Sequence, residues 1–218
     1  RRGVLPVFQK RIFDAGGSSR VSSEPSPSEP SVRAFFAADL PESLAQPIAD
    51  VQAALADAVG LRPVDPADAH VTLKFLGDVP AADLDAVLKT GERAVDRAGV
   101  EPFECSITGL GVFPSREYIS VVWAGVDEGR AELTRLHETL ERETTALGID
   151  LTDHEFIPHV ILARMDDGRG KELVRDVVGE RHPEIGTVEI EAVRLVESTL
   201  TDAGPVYDTI ETVALSGG

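Results

Sequence analysis

The sequence contains one cysteine, Cys105, so no disulfide can close within the chain and no cysteine cluster can hold a structural metal. A reducing compartment, the cytoplasm, is the expected location. No apolar run approaches the length of a membrane span. Positive charge is scarce: 21 Lys and Arg residues stand against 38 Asp and Glu, a formal charge of −17. Lysine is rarest of all, confined to Lys10, Lys74, Lys89 and Lys171. This balance argues against a broad phosphate-tracking surface, because nonspecific nucleic-acid binding depends on Lys and Arg neutralising phosphates. A small substrate or a strand end remains compatible with it. Abundant acid with little lysine instead suggests an acidic, salt-adapted (halophilic) surface, an ordinary acidic protein being the plainer alternative. Apolar residues are not short, and 218 residues suffice to bury a sizeable core.

Residues 1–30 differ in character from the rest. Gly16-Gly17-Ser18-Ser19 and the Ser-, Pro- and Glu-rich run from Ser22 to Pro30 cannot bury enough surface to fold. They read as a disordered tail or leader, with residues 31–218 as a single bilobed domain. The body opens on an apolar run of strand length at 31–38. Leu44, Ile48, Val51, Leu55 and Val59 then recur at helical spacing up to Gly60, with Pro47 near the start of the regular helix. A short strand at 61–64 follows. Leu84, Val87, Leu88 and Val95 mark a second helix ending near Gly99, and Leu133, Leu136, Leu140 and Leu147 a third ended by Gly148. Between them lie strands at 103–110 and 118–124, joined by a loop at 109–116 in which Gly109 and Gly111 make a turn. A fourth helix at 170–178 precedes strands at 187–196 and 205–213. Runs of adjacent strands predict an α+β fold, with two mixed or antiparallel sheets lining a central cleft and helices outside.

One short strand pattern occurs twice. His70-Val71-Thr72-Leu73-Lys74-Phe75-Leu76-Gly77 has an imperfect echo in His159-Val160-Ile161-Leu162-Ala163-Arg164, each copy an apolar strand headed by histidine. Ideal alternation puts His70, Thr72 and Lys74 on one face and Val71, Leu73 and Phe75 on the other. Two histidines on equivalent strands of similar halves can face each other across a cleft, one as general base and one as general acid. Opening a 2′,3′-cyclic phosphate needs both jobs: water deprotonated on one side of phosphorus, the leaving ribose oxygen protonated on the other. Imidazoles can do this near neutral pH without a metal. A hydroxyl two residues after each histidine would hold a nonbridging oxygen. The first copy has it in Thr72, whereas the second has Ile161.

The chain resembles the RNA 2′,3′-cyclic phosphodiesterases, also called 2′-5′ RNA ligases, of the two-histidine phosphoesterase superfamily. The resemblance runs from about Val32 to Val213. It rests on four blocks in order: residues 33–41, 70–77, Gly109-Leu110-Gly111-Val112-Phe113-Pro114-Ser115-Arg116, and Phe156 to Arg164. It implies a bilobed, pseudo-twofold fold and hydrolysis of RNA 2′,3′-cyclic phosphate ends, tRNA-derived ends among them, to 2′-phosphomonoesters. No cofactor or metal is implied, and a monomer is expected. By position His70 is the proton donor, His159 the acceptor and Thr72 a phosphate ligand. Arg164 stands where the family has a basic residue after the second motif. Ile161 departs from the family's Thr or Ser. Three readings stay open: this activity, action on another cyclic phosphate or a 2′-5′ linked oligonucleotide, and a binding module whose catalysis Ile161 has eroded.

Other residues carry weaker cases. Lys74 shares the face of His70 but suits a solvated strand end equally well. Arg164 has the wrong parity in an ideal strand and needs an irregularity to reach the site. Arg116 is a lesser candidate for substrate contact. His154, Glu155 and His159 do not make a zinc site, because Pro158 forbids the helix that would align two ligands. His137, beside a leucine stripe, and His182 read as structural.

Overall fold

A computed structural model describes residues 30–201 and 204–216, so the expected tail lies outside the described residues except for Pro30. The strands are β1 (Ser31–Asp39), β2 (Leu61–Pro63), β3 (His70–Pro80), β4 (Phe103–Pro114), β5 (Ile119–Val126), β6 (His159–Met165), β7 (Glu184–Ile190), β8 (Ala192–Thr201) and β9 (Gly204–Ala214). The helices are α1 (Ala45–Ala53), α2 (Leu84–Ala98), α3 (Arg130–Thr145) and α4 (Lys171–Glu180). The fold is α+β, as the strand runs predict, and every strand pairing is antiparallel.

Strand order is β7-β4-β5-β6-β3-β1-β8-β9, with β2 added on β6. Reading outward from the centre, β6-β5-β4-β7 and β3-β1-β8-β9 are matching halves. The two sheets expected from sequence are therefore joined into one, but at a single register pair, Val71↔Val160. Because that pair is antiparallel, it lies on the local twofold relating the halves. The row through it is small and apolar: Val193, Ala38, Val71, Val160 and Ala124 are all fully buried. Packed aliphatic side chains thus fix the register where the two halves meet.

The predicted strand at 187–196 is two strands. Its first part pairs with β4 at one edge of the sheet, and its second pairs with β1 in the other half. Only Glu191 separates them. Successive residues cannot lie far apart, so the sheet must curl until the end of β7 approaches the start of β8. Helices cover one face of this curled sheet. α1, α2 and α3 pack over a core that includes Ile48, Val87, Leu133, Leu136 and Leu140. α4 packs Val174, Val177 and Val178 against Ile119, Val122 and Ala163. The other face lines the cleft.

The expected turn at Gly109 and Gly111 is also corrected, since β4 runs through both. Gly109, at φ +68°, is the extra residue of a bulge between Thr108 and Leu110. Gly111 lies under the Trp123 indole, where a Cβ would come within 2.1 Å of the ring. Glycine there lets the indole lie flat on the strand.

Candidate active site

Each motif histidine begins its strand and is held by the same local contact. His70 Nδ1 lies 2.7 Å from the Asp68 carbonyl oxygen, and His159 Nδ1 lies 2.6 Å from that of Ile157. A carbonyl only accepts, so Nδ1 carries a proton in both rings and Nε2 is left to do chemistry. The antiparallel step from Val71↔Val160 sets Thr72 across from His159, and Ile161 across from His70. The four positions of the repeated pattern thus ring the twofold, with the histidines on one diagonal.

Aromatic rings hold each imidazole. His70 stacks on Phe35 at 5.1 Å between centroids and meets the edge of Tyr207 at 5.2 Å. His159 meets Phe113 at 4.9 Å and Trp123 at 5.9 Å. Sequence reasoning missed all four rings. They come from β1, β9, β4 and β5, and only strand pairing brings them to the histidines.

Burial pushes both imidazole pKa values down, and the carbonyl hydrogen bond opposes it in each. Asp68 also raises His70, while Arg164 and the facing His159 lower it. Arg164 and His154 lower His159 further. Both rings therefore favour the neutral state near pH 7, which suits a base. An acid needs an added negative charge nearby, and a bound phosphate supplies one.

A β-bulge decides which other motif residues reach the cleft. Along β3, Ala37 pairs with Thr72 and Phe36 with Lys74, leaving Leu73 as an extra residue. Along β6, Trp123 pairs with Ile161 and Val122 with Ala163, leaving Leu162 extra. Each bulge inverts the alternation that follows it. Lys74 therefore turns to the helix side, which corrects its placement beside His70. It is 3% exposed, with Nζ 2.9 Å from Glu141 Oε2 and 2.6 Å from the Asp150 carbonyl oxygen. The same inversion turns Arg164 into the cleft. There it acts electrostatically on Tyr207 and on both histidines. The irregularity its role required is this bulge. Only the second copy carries a trace of its bulge in sequence, the consecutive apolar pair Leu162-Ala163; in the first copy the charge of Lys74 hides it.

Arg116 goes elsewhere. Its guanidinium lies over Gly179 of α4, and its carbonyl accepts from Arg175 Nε at 2.5 Å. Because α4 covers the helix-bearing face, Arg116 leaves the cleft. His154 is exposed and pairs with Asp153 at 3.0 Å. His137 does hold structure: its Nδ1 is 2.7 Å from the Leu73 carbonyl oxygen at the β3 bulge, and its ring stacks on Phe156 at 4.1 Å. α3 thereby ties the first bulge to the loop leading into His159. One turn further on, Glu141 accepts from the Thr152 backbone N–H at 3.1 Å. Burial pushes its carboxyl up, but hydrogen bonds from Thr152 and Lys74 outweigh this and leave the pKa lowered.

Comparison with known proteins was consistent across sequence and fold. The family model described as LigT like Phosphoesterase matches residues 38–123 and 125–207. A protein named RNA 2′,3′-cyclic phosphodiesterase from Methanothermobacter thermautotrophicus is 36% identical over 186 residues, spanning 84% of this chain and 99% of the relative. Its namesake from Aeropyrum pernix is 36% identical over 162 residues, spanning 73% and 90%. The crystal structure of TT0787 from Thermus thermophilus superposes with a TM-score of 0.70 at 30% identity, covering 85% of this chain and 98% of that one. Escherichia coli LigT, crystallised with 3′-AMP, shares the fold with a TM-score of 0.68 at 24% identity, covering 86% and 99%.

Proposed function

The chain belongs to the LigT-like phosphoesterase family, and on that premise we propose that it hydrolyses RNA 2′,3′-cyclic phosphate ends to 2′-phosphomonoesters. The observation that carries the proposal is the diagonal of His70 and His159 across the Val71↔Val160 pair, each with Nδ1 tied to a carbonyl and Nε2 free.

In the reaction, His159 Nε2 takes a proton from water as the water oxygen bonds to phosphorus. The bond from phosphorus to the ribose 3′ oxygen breaks, and His70 Nε2–H gives that oxygen its proton. His159 ends protonated and His70 neutral; exchange with solvent resets them. Thr72 and Arg164 hold the nonbridging oxygens, where charge accumulates. The buried site favours neutral His159, as a base requires. His70 becomes protonated when the anionic phosphate offsets the neighbouring Arg164 charge.

The substrate is RNA with a cyclic phosphate end, tRNA-derived ends included, handled by a monomer in the cytoplasm. No described helix is long and apolar enough to cross a membrane. A second reading, an RNA-end binding module, draws on Ile161, which puts an aliphatic side chain where a hydroxyl would face phosphate. The deciding test is incubation of metal-free protein, in EDTA and high salt, with an oligonucleotide ending in 2′,3′-cyclic phosphate. Formation of a 2′-phosphate end supports the hydrolase. Tight binding without turnover supports the module.

A further inference from the structure

The two histidines are held alike but do not see the same charge. The local twofold matches two places around each ring: the residue two before the histidine, and the residue across from it on the neighbouring strand. Around His159 these are Ile157 and Gly125; around His70 they are Asp68 and Asp39. The first half thus carries two carboxylates where the second carries none. Asp39 is engaged in an ion pair with Arg194 of β8, which also donates to the Thr209 hydroxyl at 2.9 Å. Asp68 forms no ion pair with Lys or Arg among the described residues. It ends a single 3-10 turn, Pro66–Asp68, capped by Asp65, whose side chain accepts from the Ala67 N–H at 2.9 Å. That turn brings the Asp68 carbonyl oxygen to 2.7 Å from His70 Nδ1, so one residue both orients the imidazole and sets a carboxylate near it. The charge of Asp68 acts on His70 and on Tyr207, whose ring meets His70 edge to face.

We propose that Asp68 is a positioning residue that makes His70, rather than His159, the proton donor. The proposal rests on the hydrolase reading above. A phosphate bound between the rings attracts a proton to either histidine, whereas hydrolysis needs one ring charged and the other neutral. Arg164 of β6 opposes a charge on both rings, so it does not choose between them. A charged His159 would also oppose a charged His70, which makes the two titrate as a pair. Around His70, Asp39 is offset by Arg194, and burial raises the Tyr207 phenol, which stays neutral near pH 7. Asp68 is the unbalanced charge, and it stands on one side of the site only. In the second half, His154 in the approach to β6 lowers His159 and so acts in the same direction. The proton drawn in with phosphate therefore settles on His70, and His159 is left neutral to take one from water. Asp68 gives a nearly symmetric pair of histidines a fixed order of acid and base.

The test is Asp68→Asn, which keeps the backbone carbonyl and the side-chain shape but removes the charge, beside Asp68→Glu, which restores it. The ring resonances of His70 and His159 are titrated by NMR in each variant, free and with adenosine 2′-monophosphate. In Asp68→Asn the His70 pKa should fall while that of His159 hardly moves, and Asp68→Glu should stay near wild type. On an oligonucleotide ending in 2′,3′-cyclic phosphate, the alkaline limb of kcat should shift to lower pH in Asp68→Asn, with KM and thermal unfolding near wild type. A residue that only holds structure would not move that limb. Equal shifts in both histidines, an unmoved His70, or a kcat lowered at every pH with its alkaline limb in place would overturn the proposal. If the wild-type protein turns over no cyclic phosphate, the hydrolase reading fails, and the titrations still decide whether Asp68 directs the proton to His70.

Discussion

Replacing Ile161 by threonine should make the enzyme faster. Position 161 is half-buried on the cleft face, beside Trp123 on β5 and across the seam from His70. Thr72 occupies the equivalent position in the other half, so a hydroxyl at 161 would meet the phosphate from the opposite side. A hydrogen bond to a charged group is worth about 1.5–3 kcal/mol, or roughly 10- to 150-fold in rate if it acts only in the transition state. If Arg164 meets the same charge, as proposed above, the lower end, about 10-fold in kcat/KM, is expected. The assay is initial-rate hydrolysis of an oligonucleotide ending in 2′,3′-cyclic phosphate, with Ile161→Val as a control that trims the side chain without adding a hydroxyl. Loss of a methyl from a half-buried site should cost about 1 kcal/mol of stability, so thermal unfolding is measured alongside. No gain, a loss, or an equal gain in the valine variant would refute the role assigned to this position.

Further outcomes follow from the structure and from the charge balance of the chain. With burial holding both histidines below their ordinary range, kcat/KM should fall on the acid side only below about pH 6.5, as His159 takes up its proton. Bound phosphate raises His70, so the alkaline limb of kcat should lie at higher pH than that of kcat/KM. The same depressed pKa values make the unfolded chain bind protons more readily than the folded one. Folding stability should therefore drop as pH falls below about 6.5, which denaturant titration at several pH values checks. Lys74→Met leaves Glu141 buried without its cation and should destabilise the fold by about 3–5 kcal/mol, with Glu141→Leu added to it restoring much of the loss; chemical denaturation of both variants measures this. The acidic surface predicts an unfolding midpoint that rises from dilute to molar KCl, and a flat response would remove the salt-adaptation reading.

The pairing of the two histidines was legible because each heads a strand, and a repeated local pattern survives in sequence. α2 was legible for a similar reason: its apolar stripe is regular and Gly99 closes it in the left-handed region. The placement of Lys74 and Arg164 was not legible from strict alternation. A bulge adds one residue to a strand without changing its composition, and here it exchanges the two faces for everything downstream. The division at Glu191 was hidden for a related reason, since a continuous β-forming run carries no mark of which partner each part will pair with. The aromatic cages and the His137 contact to Leu73 depend on pairings between distant strands and helices. No single segment contains them.

The central claim is a division of labour, His70 giving a proton to the leaving oxygen and His159 taking one from water. It is tested most directly with a substrate whose leaving 3′ oxygen is replaced by sulfur, because a thiolate leaves without needing a proton. His70→Ala should be severely slowed on the oxygen substrate and close to wild type on the sulfur one, while His159→Ala stays slow on both. The reverse pattern, or equal defects in both variants on both substrates, would contradict the assignment.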